Sequence, residues 1–282
     1  METAGKSRFI WYGWVGLGII AAAEVLLFLG VGFVRTFMTP ICWWGYILFA
    51  DALVKRLKGK SLLSTRPGEF ALLTGFSIAI WLVFEGYNAL IGSWEYVNLP
   101  DSIPLRYLGY AFSFATICPG LFETAEILEG LGLARCRLPS FKLSRKLLAF
   151  LFAFGVVIGA LPIIYPSPYL IPLVWVAFIF ILEPINYVRG VPSILRDLQR
   201  GLPGRFYGLL LGGFICGFLW EFWNYWATTK WNYYVPYLAE IKIFEMPILG
   251  YFGFLPFAIE CYAMYHFMRS FISRKKSYYE IA

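Results

Sequence analysis

Apolar residues in this chain run in long unbroken stretches, and polar residues collect in the segments between them. Eight such stretches stand out, at 10–32, 39–54, 70–91, 108–129, 147–165, 169–187, 206–227 and 247–268. Several approach the roughly 20 residues that a helix needs to cross the hydrocarbon core, while the second and sixth are short and leave their boundaries open. Lipid offers no water to unpaired backbone groups, so a spanning chain is either helical or a closed barrel, and continuous apolar runs lack a barrel's alternation. The pattern predicts an all-α integral membrane protein with eight transmembrane helices.

The same pattern is written twice. Glu85-Gly86-Tyr87-Asn88, followed by Trp94-Glu95-Tyr96, recurs as Glu221-Phe222-Trp223-Asn224, followed by Trp231-Asn232-Tyr233. Pro40, Trp43, Asp51 and Ser61 match Pro172, Trp175, Glu183 and Ser193 at one constant offset. Pro67-Gly68-Glu69-Phe70 matches Pro203-Gly204-Arg205-Phe206, and Pro119 and Glu123 match Pro256 and Glu260, at slightly longer offsets whose drift falls between the spans. An offset that holds along three successive segments marks an internal duplication. We therefore expect two tandem four-helix repeats, 1–143 and 144–282. Four spans per half is an even number, so the repeats should be parallel, related by an axis along the membrane normal.

Composition agrees: 60% of residues are hydrophobic, 20% aromatic and only 15% charged, far from soluble averages. The cations fall in clusters at 6–8, 55–66, 135–146, 189–205 and 269–276, all on one side of an eight-span arrangement, whereas the opposite loops carry only Arg35, Arg106, Lys230 and Lys242. That bias places both termini in the cytoplasm, and the style of the chain is that of a bacterial inner-membrane protein. It also accounts for the net charge of +7 without nucleic acid as a partner. No small-residue cleavage site follows the N-terminal apolar run, which is read as the first span. Five cysteines lack metal-type spacing, and no P-loop, dinucleotide fingerprint or zinc signature points to a cofactor. His266 is the single histidine, so chemistries built on several histidine ligands are excluded.

The candidate chemistry lies in carboxylates inside the bilayer. A carboxylate at the bilayer centre costs about 2.5–3.5 kcal/mol on insertion scales, yet each half carries three: Asp51, Glu85 and Glu123, then Glu183, Glu221 and Glu260. The spans hold no lysine or arginine to neutralise them, so they must be protonated, hydrogen-bonded, hydrated or bound to a cation. Helical rise puts Glu85 and Glu221 within about 10 Å of the outer boundary, with Asp51 and Glu183 roughly 16 Å below Pro40 and Pro172. The expectation is that all six line one cavity opening outward. Asn88 and Asn224 follow their glutamates by one helical turn and share a face with them, free to bond the carboxylate, join the repeats or hold a ligand. Glu24, in the first span, has no counterpart in the second half.

Aromatic residues crowd the same level, among them Trp81, Trp94, Trp220, Trp223, Trp231 and Tyr233. They form either an interfacial belt or the walls of a pocket suited to a polyene, a quinone or a cation. The apolar loops 92–107 and 228–246 are long enough to fold back as its lid. Two functions follow. One is an enzyme acting on a membrane lipid or isoprenoid, with Asp51, Glu85, Glu123, Glu183, Glu221 and Glu260 as acids and bases and the asparagines and aromatics binding the lipophilic substrate. The alternative is a proton- or cation-coupled carrier or channel using the same carboxylates, whose oxygen ligands favour hard ions.

Overall fold

The computed structural model describes residues 9–272; Lys6, Arg8, Arg274, Lys275 and Lys276 of the basic clusters lie outside them. Eight spans long and apolar enough to cross a membrane are present among the described residues, and the chain is a polytopic membrane protein. The first half comprises α1 (Trp11–Phe28), α2 (Gly32–Lys58), the short α3 (Leu62–Thr65), α4 (Pro67–Ile91), strand β1 (Trp94–Val97), α5 (Ile103–Phe114) and α6 (Ile117–Leu131). The second comprises α7 (Arg145–Ile164), α8 (Ile171–Arg189), the short α9 (Ile194–Gln199), α10 (Gly204–Trp226), strands β2 (Lys230–Tyr233), β3 (Lys242–Ile243) and β4 (Met246–Pro247), and α11 (Tyr251–Ile272).

Two spans depart from the apolar pattern, each for a reason at a proline. The second span starts earlier than its apolar stretch, at Gly32, because Arg35, Thr36 and Thr39 hide its first turns. It bends at Phe37 (φ −109°, ψ 22°), next to the carbonyl that Pro40 leaves without a donor. The fourth span is broken outright between α5 and α6. Pro119 cannot bond Ala115, and one residue earlier the Ser77 hydroxyl of α4 takes both ends of the next missing bond. It donates to Phe114 O (2.5 Å) and accepts from Cys118 N (3.0 Å). At the matching proline, Pro256, α11 runs on as one helix.

Helices in lipid gain little from apolar burial against one another, so close packing must hold them. Gly16 and Gly45 bring α1 onto α2 so tightly that a Cβ on Gly16 would meet Gly45 O at 2.3 Å. Gly155 does the same for α7 on the backbone of α8, at 2.7 Å from Ile181 N. The centre is aromatic: Trp43 is fully buried, its ring 4.8 Å from Trp220 and 5.3 Å from Trp223, while Phe84 stacks on Trp175 at 5.2 Å.

The two ends of the bundle differ. At one end β1 pairs antiparallel with β2, Trp94 opposite Tyr233 and Tyr96 opposite Trp231, which draws the loops after α4 and α10 into a ribbon across the bundle. At the other end the basic segments meet acids: Lys58 bonds the buried Glu126 and Glu129, Arg205 bonds Glu129 (3.1 Å), and Arg269 bonds the partly buried Glu69 through Nε (2.5 Å) and Nη2 (2.8 Å).

Candidate functional site

Beneath the ribbon lies a cavity of about 520 Å³, within the size range of small-molecule sites. Its walls come from the first turns of α2, α8 and α11, the ends of α4 and α10, helix α5 and both ribbon loops. The folded-back loops thus form part of its enclosure. Of the aromatic residues singled out from sequence, Trp81, Trp94, Trp220, Trp231 and Tyr233 line the cavity. Trp223 does not; its ring packs on Trp43 and its Nε1 donates to Glu24 (3.1 Å).

None of the six carboxylates lines the cavity, which corrects the expectation that they converge there. Glu85 and Glu221 stand directly behind the wall, held by wall residues. Glu85 Oε1 accepts from Tyr96 OH (2.6 Å), Trp81 Nε1 (2.7 Å) and Trp94 Nε1 (3.2 Å). Glu221 Oε1 accepts from Tyr233 OH (2.8 Å) and Trp231 Nε1 (3.3 Å), and its Oε2 is buried without a partner. The position matching Trp81 is Gly217, which explains the missing third donor. Burial, and then the adjoining carboxylate, push the Tyr96 and Tyr233 hydroxyls well above the ordinary phenol range. Both phenols therefore remain protonated donors.

Asp51 and Glu183 lie farther along, near the basic ends of α2 and α8, and do local work. Asp51 accepts from Ser61 Oγ (2.8 Å), Leu63 N (2.8 Å) and Tyr12 OH; Glu183 accepts from Ser193 Oγ (2.7 Å) and Leu195 N (3.0 Å). In each case a carboxylate satisfies first-turn N–H groups of the short helix that follows, groups with no partner inside that helix. Glu260 Oε1 accepts from Phe178 N (2.8 Å). Glu123 is 1% exposed, with Asp51 in hydrogen-bonding reach and Glu126 and Lys58 as further charged neighbours; no backbone group or neutral side chain holds it. The ion pairs among the described residues use Glu69, Glu126, Glu129, Asp197 and Glu245.

Asn88 and Asn224 bond neither carboxylate nor cavity. Asn88 Oδ1 accepts from Ser93 N (2.8 Å) and Trp94 N (3.0 Å) while Nδ2 donates to Trp94 O (2.8 Å). Asn224 accepts from Trp231 N (2.9 Å) and donates to Trp231 O (2.8 Å). An amide carries both donor and acceptor, so it matches one backbone residue's N–H and C=O together. Each asparagine pins a tryptophan at the start of a strand, the first residue of β1 and the second of β2, and that tryptophan reaches back to the glutamate one turn before the asparagine.

Several wall residues were not singled out from sequence. Tyr96 was legible as the repeat partner of Tyr233, and Trp43 and Trp175 as a matched pair. Arg106, Tyr110 and Phe257, also in the wall, have no equivalent signal. Gly120 stands where Phe257 stands in the other half, and a Cβ there would come within 2.7 Å of the Trp43 ring, so Trp43 packs inward where Trp175 packs against Phe257 (5.4 Å). Among the described residues no group of three or more His, Cys, Asp or Glu is placed to hold a metal ion. His266 sits at the basic end between Tyr262 and Tyr265, away from the cavity. Comparison with protein-family models, with characterised proteins and with solved structures returns no match.

Proposed function

We propose that the protein is an enzyme of the bacterial inner membrane that binds a lipid or isoprenoid in the aromatic cavity and moves protons on it through two tyrosine–glutamate dyads. The reading includes two tandem parallel repeats, 1–143 and 144–282, with both termini cytoplasmic and the cavity facing outward. The observation that carries it is that Tyr96 and Tyr233 belong at once to the cavity wall and to the hydrogen bonds of Glu85 and Glu221. When the phenol oxygen takes a proton from a bound substrate, its own proton passes to the carboxylate, and the reverse sequence returns one, so charge and protons balance. Tryptophan and tyrosine faces around the substrate stabilise positive charge that develops as a proton is added to an alkene. In this arrangement the asparagines position the strands, and Asp51, Glu183 and Glu260 hold helices.

The matched bonds of Asn88 with Asn224 and of Asp51 with Glu183 support the repeat, and the pairing of Trp94 with Tyr233 and Tyr96 with Trp231 is the register that a two-fold axis between the strands gives. The test is incubation of the protein in nanodiscs with lipid extract from its host, followed by mass spectrometry. Tyr96→Phe and Tyr233→Phe preserve the aromatic wall and should each lower turnover by about a hundredfold or more. The reading fails if the double variant converts lipid at the wild-type rate, or if the wild type retains a lipid and alters none.

A second reading, a proton-coupled carrier, is favoured by Glu123, a buried acid paired with a second acid, Asp51, and held by no backbone group or neutral side chain. It requires that proteoliposomes dissipate an imposed pH gradient and that Glu123→Gln stops them.

A further inference from the structure

The ribbon end is nearly free of cations, and two of its four, Arg106 and Lys230, line the cavity. Lys230 is already matched, its Nζ bonding Glu245 Oε1 at 2.5 Å. Arg106 has no carboxylate within ion-pair distance among the described residues. Its guanidinium is fixed by one carbonyl, Pro100 O, which accepts from Nε (3.1 Å) and Nη2 (2.9 Å), and Nη1 makes no hydrogen bond to the described protein. A second observation sharpens the first. Arg106 lies in the first turn of α5, where the helix dipole disfavours a cation and favours an anion. No ion pair among the described residues offsets that placement, and the cavity lining holds no carboxylate.

A half-buried guanidinium held along one edge and open along another is the group best suited to an oxyanion, which it binds through parallel charge-assisted hydrogen bonds. We infer that the cavity ligand is an amphiphile with a carboxylate or phosphate head, bound by Arg106 with its apolar tail among the cavity tryptophans. This rests on the lipid-binding reading above and narrows it: a neutral hydrocarbon fills the walls but leaves Arg106 unmatched. The partial-charge field at the start of α5 then adds to the guanidinium in holding the head, and the reacting part of the ligand lies deeper, alongside Tyr96 and Tyr233.

The experiment titrates the protein, in nanodiscs of neutral phosphatidylcholine, with dodecyl phosphate, dodecanoate and dodecanol, reading tryptophan emission against empty nanodiscs. Charge-assisted bonds predict that the two anions bind at least about tenfold more tightly than the alcohol. Arg106→Gln should bring the anions down to the alcohol's affinity while leaving the alcohol unchanged, which also reports an intact cavity; Arg106→Lys should keep part of the preference. Lys230→Gln, at a cation already paired, should change little. Equal binding of alcohol and anions in the wild type, or an undiminished preference in Arg106→Gln, overturns the inference while leaving the lipid-binding reading standing. No binding of any of the three overturns both. Inorganic phosphate at millimolar concentration should not displace dodecyl phosphate; full displacement would mean that the site takes a free anion, and the amphiphile assignment would fall.

Discussion

At the ribbon end, Glu85 and Glu221 are met only by neutral donors, whereas at the opposite end Glu69, Glu126 and Glu129 are met by Arg269, Lys58 and Arg205. The first group backs onto a cavity; the second belongs to the basic end, away from it. Both sets are polar side chains within apolar spans, and composition alone ranks them equally. On the proposed reading, an acid in a membrane span counts toward chemistry when its partners are neutral donors that also line a cavity. A carboxylate matched by a base at short distance is an assembly contact.

The largest expected effect comes from removing a base where acids are packed. Lys58→Met leaves Glu126 and Glu129 with Arg205 and Lys60 as charged neighbours and removes the lysine that bonds both acids, and breaking a buried pair by deleting one partner costs about 3–5 kcal/mol. Equilibrium unfolding in mixed micelles should show that loss. Glu85→Gln at the ribbon end should cost far less, because a carboxamide oxygen still accepts from Tyr96 and the two indoles, and its effect should fall on turnover. If the two variants lose equal stability, the ends are not different in kind.

An intermediate effect tests the ribbon as a support for the dyads. Asn224→Ala or Asn88→Ala strips the backbone of Trp231 or of Trp94 of a matched donor and acceptor, worth about 1–3 kcal/mol where those groups stay buried. The loss should be local, read as faster amide exchange in Trp94–Val97 and Lys230–Tyr233 with the helices unchanged. Equal exchange in the two variants would mark the asparagines as equivalent; protection unchanged in both would remove them from the support of the cavity.

The apolar runs made the eight spans legible because a helix in lipid cannot hide its length. The break between α5 and α6 was not legible, since it depends on the Ser77 hydroxyl arriving from another helix, a contact with no mark in local sequence. The Tyr–Glu dyads were half legible: the repeated motif singled out Glu85, Glu221 and Tyr233, and only the fold shows that a tyrosine stands between each acid and the cavity. Asp51 and Glu183 were misread as cavity residues because their partners, Leu63 N and Leu195 N, are backbone groups, which sequence pairing rules do not display.

The smallest effect concerns Glu24, which seemed to stand alone. Trp223 of α10 donates to it at 3.1 Å, tying α10 to α1 of the other half. Tyr87, the repeat counterpart of Trp223, donates to Gly159 O at 2.9 Å, tying α4 to α7 of the other half. Positions matched in sequence thus grip the opposite half's first helix, with a side-chain carboxylate serving in one half and a backbone carbonyl in the other. An acceptor is all that the geometry asks for, so the negative charge on Glu24 contributes nothing that a neutral oxygen cannot. Glu24→Gln should change stability by no more than about 0.5 kcal/mol, whereas Glu24→Leu, which leaves the Trp223 N–H buried and unmatched, should cost about 1–3 kcal/mol. A larger loss in the glutamine variant than in the leucine variant would mean that the charge itself is used, and the equivalence of the two grips would fail.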